Sequence, residues 1–299
     1  MKTLTISVPS KTFLLGEYVA LKGELTLLLS SEPRFKLIVK PHVQNSLVME
    51  GIHPDSPGGR LIYSRADFYQ QYHIQFIDPY QGLGGFGASS AQFLMLTALY
   101  CYAHSLPIND TELLASYMEL AWSGEGIPPS GADLIAQLYG SLCLYHKSKS
   151  KIAIFSWPFS HIDYGLIHTG HKLATHHYLK QSIHFDVEPL EKIVVQGIMA
   201  LEKSDSKEFI QAINHYADAL KMQDLIQPTT QTILQLLLTH PDIYAAKGCG
   251  ALGTDVIFIL FNRKKQKDIL NWIKDNKLYL ITYGHEVSNG IEIGESICQ

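Results

Sequence analysis

The pattern of hydrophobic and polar residues along the first sixty positions predicts β-structure. Residues 4–8 alternate with the two-residue period of a half-buried strand, residues 13–21 are apolar with a polar break at Gly16-Glu17, and short apolar runs cover 25–29 and 35–39. The segment that follows, 53–59, combines proline, glycine, serine and aspartate and is typical of a loop. Residues 68–76 are rich in aromatic side chains and fit a helix or a strand equally well.

Helical periodicity begins in the middle of the chain. Residues 110–123 repeat apolar side chains at helical spacing, with Asn109 or Asp110 as the predicted N-cap. Residues 125–140 read as a Pro-Pro-Ser-Gly turn that runs into a helix. Two further apolar runs, 142–145 and 152–155, flank a turn rich in lysine and serine and predict a β-hairpin.

From about residue 157 the pattern mixes helices with strands. Helices are predicted at 178–182, 189–204, 207–222, 229–239 and 265–275, and β-structure at 164–168, 256–261 and in a last region that ends at 293. Strands early and helices with strands later indicate an α+β fold of two lobes. The boundary is placed near residue 160, which gives lobes 1–160 and 161–299.

Composition narrows the class of protein. At 299 residues, with 46% hydrophobic and 17% charged residues, the chain has the balance of a globular protein. A net charge of −4 gives no reason to expect general affinity for nucleic acid or a membrane surface. Four cysteines without paired spacing argue against a disulfide framework, and neither a signal-peptide core nor a membrane-length apolar run is present in the sequence. We therefore expect a soluble cytoplasmic protein.

A glycine-rich loop at residues 82–87 leads directly into an apolar helix that runs to about residue 100. Without side chains, the backbone N–H groups of such a loop can approach an anion, and the helix directs the positive end of its dipole to the same place. Ser89 and Ser90 stand where a hydroxyl could cap the helix or touch a metal ion. A tight turn before a capped core helix explains the loop equally well.

Three other segments carry candidate chemistry. Residues 9–18 place Lys11 where it could neutralise charge on a transferred phosphoryl group, although a lone lysine at a strand end is usually solvated. Asp133 at a helix start could take a proton from an alcohol, or could be there only because the helix dipole favours an acid. Residues 247–255 carry three glycines before an apolar strand, which fits a loop beside a ligand or a β-bulge.

The order of these segments resembles the GHMP kinases, the superfamily of galactokinase, homoserine kinase, mevalonate kinase and phosphomevalonate kinase. The family's Pro-Gly-Lys and Leu-Gly-Glu match residues 9–17, with Ser10 in place of the glycine. Its Gly-Leu-Gly-Ser-Ser-Ala-Ala matches residues 85–91, with Ala88 in place of the first serine. Its Gly-Ala-Gly-Gly-Gly is similar to residues 248–253.

This resemblance implies a two-lobed GHMP kinase fold. The N-terminal lobe would be like domain 2 of ribosomal protein S5, the C-terminal lobe ferredoxin-like, and the active site would lie in the cleft between them. Glu17-Tyr18, residues 125–140, residues 168–175 and Thr254-Asp255 are most similar to the phosphomevalonate kinase branch. His168 and His171 depart from that branch, since they stand where it has tryptophan and lysine.

Site roles follow from the resemblance. It implies an ATP-dependent transfer in which Asp133 orients or deprotonates the acceptor and Lys11 stabilises charge. ATP would be bound by Gly85, Gly87, Ala88, Ser89 and Ser90. Magnesium would be held by Ser89 and Glu125. The acceptor would contact Lys11, Glu17, Ser130, Gly131, His171, Lys172 and Gly250, and Lys247 is a further basic candidate.

The implied partner is a small anionic alcohol or phosphate, with no nucleic acid and no membrane, and a homodimer is left open. The first expectation is phosphorylation of phosphomevalonate to diphosphomevalonate in isoprenoid precursor synthesis. Mevalonate kinase or another metabolite kinase of the superfamily is the alternative, and diphosphomevalonate decarboxylase ranks last. Two departures from the family pattern, Ala88 and the altered third glycine loop at residues 247–255, leave a non-catalytic nucleotide-binding protein as a further alternative.

Overall fold

The computed structural model describes residues 2–44, 46–170, 185–253 and 255–297. Within these ranges the chain is a mixed α+β protein built on two sheets. The strands are β1 (Lys2–Leu15), β2 (Leu25–Pro41), β3 (Val48–Glu50), β4 (Tyr72–Ile77), β5 (Leu142–His146), β6 (Lys151–Phe155), β7 (Ile162–His168), β8 (Ile243–Cys249), β9 (Val256–Asn262), β10 (Tyr279–Gly284) and β11 (Glu292–Ile297). The helices are α1 (Pro57–Ser64), α2 (Ala66–Tyr69), α3 (Ala88–Ala103), α4 (Asp110–Ala121), α5 (Ala132–Tyr139), α6 (Val187–Glu202), α7 (Ser206–Met222), α8 (Pro228–Leu237) and α9 (Gln266–Asp275).

The first sheet is organised around β1 and β2, two long antiparallel strands. One half of β2 pairs with β4 and the other half with β5, so this strand joins the five-strand path β11-β1-β2-β4-β3 to the β5–β6 hairpin. The last strand, β11, returns to pair antiparallel with β1 from Lys2 to Ser7. The C-terminal end of the chain thus completes the sheet that the N-terminal end begins.

Two helices cover this sheet on the side that carries the glycine-rich loop. Helices α3 and α5 pack against β1 and β2 and against each other. Helix α3 is buried along most of its length, from Ser90 to Leu99, because it is apolar around most of its circumference. This packing brings the N-terminal ends of both helices close to Lys11 of β1.

The second sheet has the antiparallel order β10-β7-β9-β8. Every residue of β7 is buried, and α7 packs on β8. Helix α6 packs on α7 and also contacts β2 of the first sheet. One continuous hydrophobic cluster runs through both sheets, from Ile6 and Leu15 to Tyr216 and Ile257. The two sheets therefore share a core, which fixes the glycine loop at residues 247–255 relative to the one at residues 82–87.

The α+β class expected from the sequence is confirmed, and the structure corrects or refines the local expectations as follows. Residues 13–21 do not form one strand, because β1 ends at Leu15 and Val19–Lys22 forms a 3-10 turn. The segment 68–76 is divided between the end of α2 and β4. Strand β8 was not predicted, because its alanines, lysine and glycine give a weak apolar signal. The predicted helix at 178–182 lies outside the described residues.

A search of the described residues for a bilayer-crossing segment finds no helix that combines sufficient length with sufficient apolar character.

Candidate active site

The glycine-rich loop ends at the N-terminus of α3. Gly85 and Gly87 have φ angles of 90° and 89°, which glycine adopts without the strain that a side chain would add. Gly87 is the N-cap of α3, and its carbonyl accepts hydrogen bonds from Ala91 N and from Ser90 Oγ, each at 2.9 Å. Ser90 is buried and turned back into the loop, whereas Ser89 is partly exposed in the first turn. The free N–H groups of this turn form a natural anion site.

Strand β1 brings Lys11 against this loop. The backbone N–H of Lys11 donates to Phe86 O at 3.1 Å, and its side chain is buried. A Cβ atom added at Gly87 would lie 3.0 Å from both Cγ and Cε of Lys11. The lysine stem therefore lies directly on the loop backbone, and only glycine leaves room for it.

Helix α5 supplies the carboxylate that faces this lysine. Gly131, with a φ of 79°, caps the helix, and Ser130 Oγ accepts a hydrogen bond from Ala132 N at 3.2 Å. Asp133 is the second residue of α5, and its Oδ1 lies 3.2 Å from Lys11 Nζ. The contact is an ion pair without a well-directed hydrogen bond. Since the Asp133 side chain is 35% exposed, it can reach a molecule in solution while it remains beside the lysine.

Two residues that the sequence reasoning missed complete this cluster. Burial raises the pKa of Tyr117 above its usual value, the charge of Asp133 adds to the rise, and a hydrogen bond with Ser89 opposes it. The Tyr117 hydroxyl, on α4, is thus close enough to interact with both Ser89 and Asp133. Gln137, on α5, is fully buried and donates through Nε2 to Pro9 O and Gly87 O, each at 3.1 Å. Tyr117 lies outside the motifs and Gln137 stands at a variable position of one, so the sequence pattern carried no signal for either residue.

The third glycine loop packs against the first. A Cβ at Gly85 would lie 2.7 Å from Asp255 Cβ, which places the two loops in direct contact. Gly250 and Leu252 have φ angles of 84° and 54°, and Leu252 N donates to the Tyr18 hydroxyl at 2.9 Å. The loop thus turns back toward the end of β1.

Glu17 and Lys247 meet beneath this loop. Lys247 Nζ lies 2.6 Å from Glu17 Oε1, and the lysine side chain is completely buried. Burial raises the pKa of the Glu17 carboxyl, and the Lys247 ammonium opposes that rise. The structure therefore uses Lys247 as an internal partner of Glu17 and does not present it at the surface as a cation for an anionic acceptor.

The remaining predicted residues are spread around this centre. Glu125 is exposed in the loop before α5, where its backbone carbonyl accepts a hydrogen bond from Trp122 Nε1 at 2.9 Å. His168 is buried, and its ring lies beside that of Phe86, with 6.2 Å between the centroids. His171 and Lys172 lie outside the described residues.

The protein side chains at this site supply only part of the ligand set that a magnesium ion needs. No group of three or more His, Cys, Asp or Glu side chains suited to a metal ion occurs within the described ranges. The oxygen donors at hand are the Ser89 hydroxyl and the Asp133 carboxylate, with Glu125 exposed nearby in sequence. Such a sparse oxygen set suits magnesium, which keeps several waters and is usually held by one or two protein oxygens plus substrate phosphates.

Comparison with known proteins shows the fold. No protein-family model and no curated protein sequence matches the chain. Among solved structures, Streptococcus pneumoniae phosphomevalonate kinase superposes with a TM-score of 0.75 at 17% identity, covering 95% of this chain and 99% of that one. The same enzyme in complex with phosphomevalonate and AMPPNP gives 0.75 at 16% identity, covering 94% and 99%. Methanococcus jannaschii mevalonate kinase gives 0.73 at 13% identity, covering 95% and 98%.

These similarities confirm the GHMP kinase fold over nearly the whole chain. The glycine-rich loop, Lys11 and Asp133 therefore lie together within that fold. Acceptor identity is a separate matter, since both phosphomevalonate and mevalonate kinases superpose at comparable scores.

Proposed function

We propose that this protein is an ATP-dependent small-molecule kinase, with phosphomevalonate as its first candidate acceptor. The observation that carries the proposal is the ion pair between Lys11 and Asp133, 3.2 Å long, beside the capped start of α3. A base and a cation adjacent to an anion-binding loop are the parts that phosphoryl transfer to an alcohol or phosphate requires.

The loop and the first turn of α3 would bind the triphosphate. Gly85 and Gly87 leave the backbone open, and the N–H groups before Ser90 have no helical acceptors of their own. The Ser89 hydroxyl would contact either a phosphate oxygen or magnesium, with Glu125 as a second metal contact. Bound magnesium would neutralise charge on the phosphates. No Gly-Lys-Ser/Thr sequence follows the glycines, so this loop differs from a Walker loop.

Asp133 would orient the acceptor oxygen and accept its proton, while Lys11 would stabilise the negative charge that develops on the transferred group. Both groups are positioned before any ligand arrives, because Lys11 is fixed by the loop backbone and Asp133 by α5. Because the transition state of phosphoryl transfer is loose, catalysis depends mainly on such positioning and on electrostatics. Ser130, Gly131 and Gly250 line the neighbouring turns and would shape the acceptor side.

The choice of phosphomevalonate rests on motif similarity. Glu17-Tyr18 and residues 125–140 resemble that branch, and a structure of its S. pneumoniae member superposes well. Mevalonate kinase, or a kinase for another metabolite, is the second candidate because mevalonate kinase structures superpose nearly as well. A diphosphomevalonate decarboxylase is disfavoured by the retained Lys11 and the Ser130-Gly131 turn before Asp133.

The decisive experiment is a coupled ADP-release assay with mevalonate, phosphomevalonate and homoserine, each with its product identified by mass. We expect ADP release with phosphomevalonate and a product heavier by one phosphoryl group. Activity with mevalonate but none with phosphomevalonate would replace the first acceptor by the second. Release of CO₂ from diphosphomevalonate would establish a decarboxylase, and nucleotide binding without turnover on any acceptor would leave only a binding protein.

A further inference from the structure

Gln137 lies one helical turn after Asp133 on the same face of α5, because residues four apart in a helix are stacked. Its side chain is completely buried. Nε2 donates to Pro9 O and to Gly87 O, each at 3.1 Å, and so uses both amide hydrogens. One side chain thus ties α5 to β1 and to the glycine-rich loop.

The orientation of this amide follows from its acceptors. Both partners are carbonyl oxygens, so a rotated amide would direct Oε1 against two other oxygen atoms. Among the described residues, Oε1 accepts no hydrogen bond and is buried. An unpartnered buried acceptor costs about 1–3 kcal/mol. An apolar side chain could fill this position without that cost. A glutamine bears the cost because its two amide N–H donors are needed.

Both acceptors belong to parts of the candidate active site. Pro9 lies two residues before Lys11 on β1, and Gly87 is the N-cap of α3. Lys11 N also donates to Phe86 O, so the strand and the loop are already joined at one point. A Cβ at Gly87 would lie 3.0 Å from Gln137 Nε2 as well as from Lys11, so all three groups meet at one place.

We propose that Gln137 is a positioning residue, which holds the glycine-rich loop and Lys11 in register with Asp133. The inference rests on the proposed kinase activity and adds the group that sets the geometry of the phosphate loop relative to the acceptor carboxylate. Asp133 and Gln137 give α5 two functions one turn apart: the first faces the acceptor and the second holds the nucleotide side in place.

Gln92 offers a matched control. It is also a buried glutamine on a helix, and its Nε2 also donates to a backbone carbonyl, that of Gly51 at 3.1 Å. Its acceptor precedes α1 and belongs to no part of the candidate site. Gln137→Met and Gln92→Met therefore each remove a buried amide that donates to backbone carbonyls, but only Gln137 donates to β1 and to the glycine-rich loop.

The experiment measures kcat, KM for ATP and the Kd for AMPPNP in the wild type and both variants, together with Tm. We expect the two variants to lose similar Tm, while Gln137→Met alone loses about 10- to 100-fold in kcat/KM, the scale set by a displacement near 1 Å. Gln137→Glu, which keeps the size but cannot donate to both carbonyls, should show the same loss and covers the case in which Gln137→Met does not fold.

Two results would overturn the inference, and they are distinguishable. If the wild type is active and Gln137→Met and Gln137→Glu match Gln92→Met in kcat, KM and Kd, then Gln137 is only structural and the kinase proposal stands. If the wild type neither binds AMPPNP nor releases ADP with any acceptor tested, the kinase proposal fails and the positioning role fails with it.

Discussion

Lys247 and Glu17 are 230 residues apart in the chain, yet Lys247 Nζ lies 2.6 Å from Glu17 Oε1 in the protein interior. The same nitrogen donates to Gly248 O at 3.0 Å and lies over the ring of Tyr216, 5.4 Å from its centroid. The pair therefore joins the end of β1 to the strand that carries the third glycine loop. Because both charges are buried, each depends on the other for its stability in the ionised form.

Lys247→Met should destabilise the protein by about 3–5 kcal/mol at pH 8, because it leaves the Glu17 carboxylate buried without its cation. Burial already raises the folded-state pKa of Glu17 above 4.5, and loss of the ammonium, which lowers that pKa, raises it further. A raised carboxyl pKa contributes stability below the unfolded pKa that is lost as pH rises through the folded one. The deficit of the variant should therefore shrink between pH 8 and pH 5, as measured by urea unfolding.

Two further variants make this test specific. The double variant Lys247→Met with Glu17→Gln should recover part of the loss at pH 8, since no buried charge remains. Lys192→Met breaks the exposed pair with Glu188 and should change stability little at either pH. A deficit for Lys247→Met that is equal at pH 8 and pH 5 would contradict the account of Glu17.

Gly87→Ala should weaken both nucleotide binding and turnover, because its Cβ would lie 3.0 Å from Lys11 and from Gln137. Gly82→Ala is the matched control, since Gly82 has a similar φ of 84° but no atom within 4 Å of the added Cβ. Both changes carry backbone strain of about 1–3 kcal/mol. We expect a similar Tm loss for both, with an increase in the AMPPNP Kd only for Gly87→Ala. If the two variants have the same Kd for AMPPNP, the contact of Gly87 with Lys11 and Gln137 is not needed for nucleotide binding.

A residue of this site could be predicted from the sequence only where it occupies a defining position of a motif. Lys11 and Asp133 stand in motifs, and the structure places them 3.2 Å apart. Gln137 occupies a variable position of its motif, and its role depends on which carbonyls the fold brings to it. Lys247 was read as a surface cation because sequence shows neither burial nor the carboxylate that reaches it from β1.

The same distinction explains the fold. The α+β class follows from local periodicity, which adjacent residues determine. The pairing of β11 with β1 cannot be predicted from local periodicity. It joins Lys2 to Ile297 across the length of the chain and leaves no periodic pattern of its own. Arg34 stabilises this return through hydrogen bonds to Asn289 O and Gly290 O, contacts that no local pattern records.

Asp133→Ala should reduce kcat by about 10²- to 10⁴-fold, the usual contribution of a positioned general base, while AMPPNP still binds. Asp110→Ala is the matched control, because Asp110 is also an acid in the first turn of a helix and favours the dipole in the same way. Its replacement should affect stability slightly and kcat not at all. If the two variants have the same kcat, Asp133 is only a helix-start aspartate and the proposed mechanism is wrong.

Tyr117→Phe should raise KM for ATP by roughly two- to tenfold, the factor that corresponds to about 0.5–1.5 kcal/mol for one hydrogen bond. The reason is that its hydroxyl bonds to Ser89, and burial together with the Asp133 charge raises the pKa of Tyr117 and keeps this hydroxyl protonated. Without that contact, Ser89 is free to turn away from the phosphates. Tyr69→Phe also removes a buried hydroxyl, one bonded to Leu96 O at 3.1 Å on the far part of α3, and should leave KM unchanged. Steady-state kinetics at varied ATP concentration compare the two, and an equal KM in both variants would remove Tyr117 from the site.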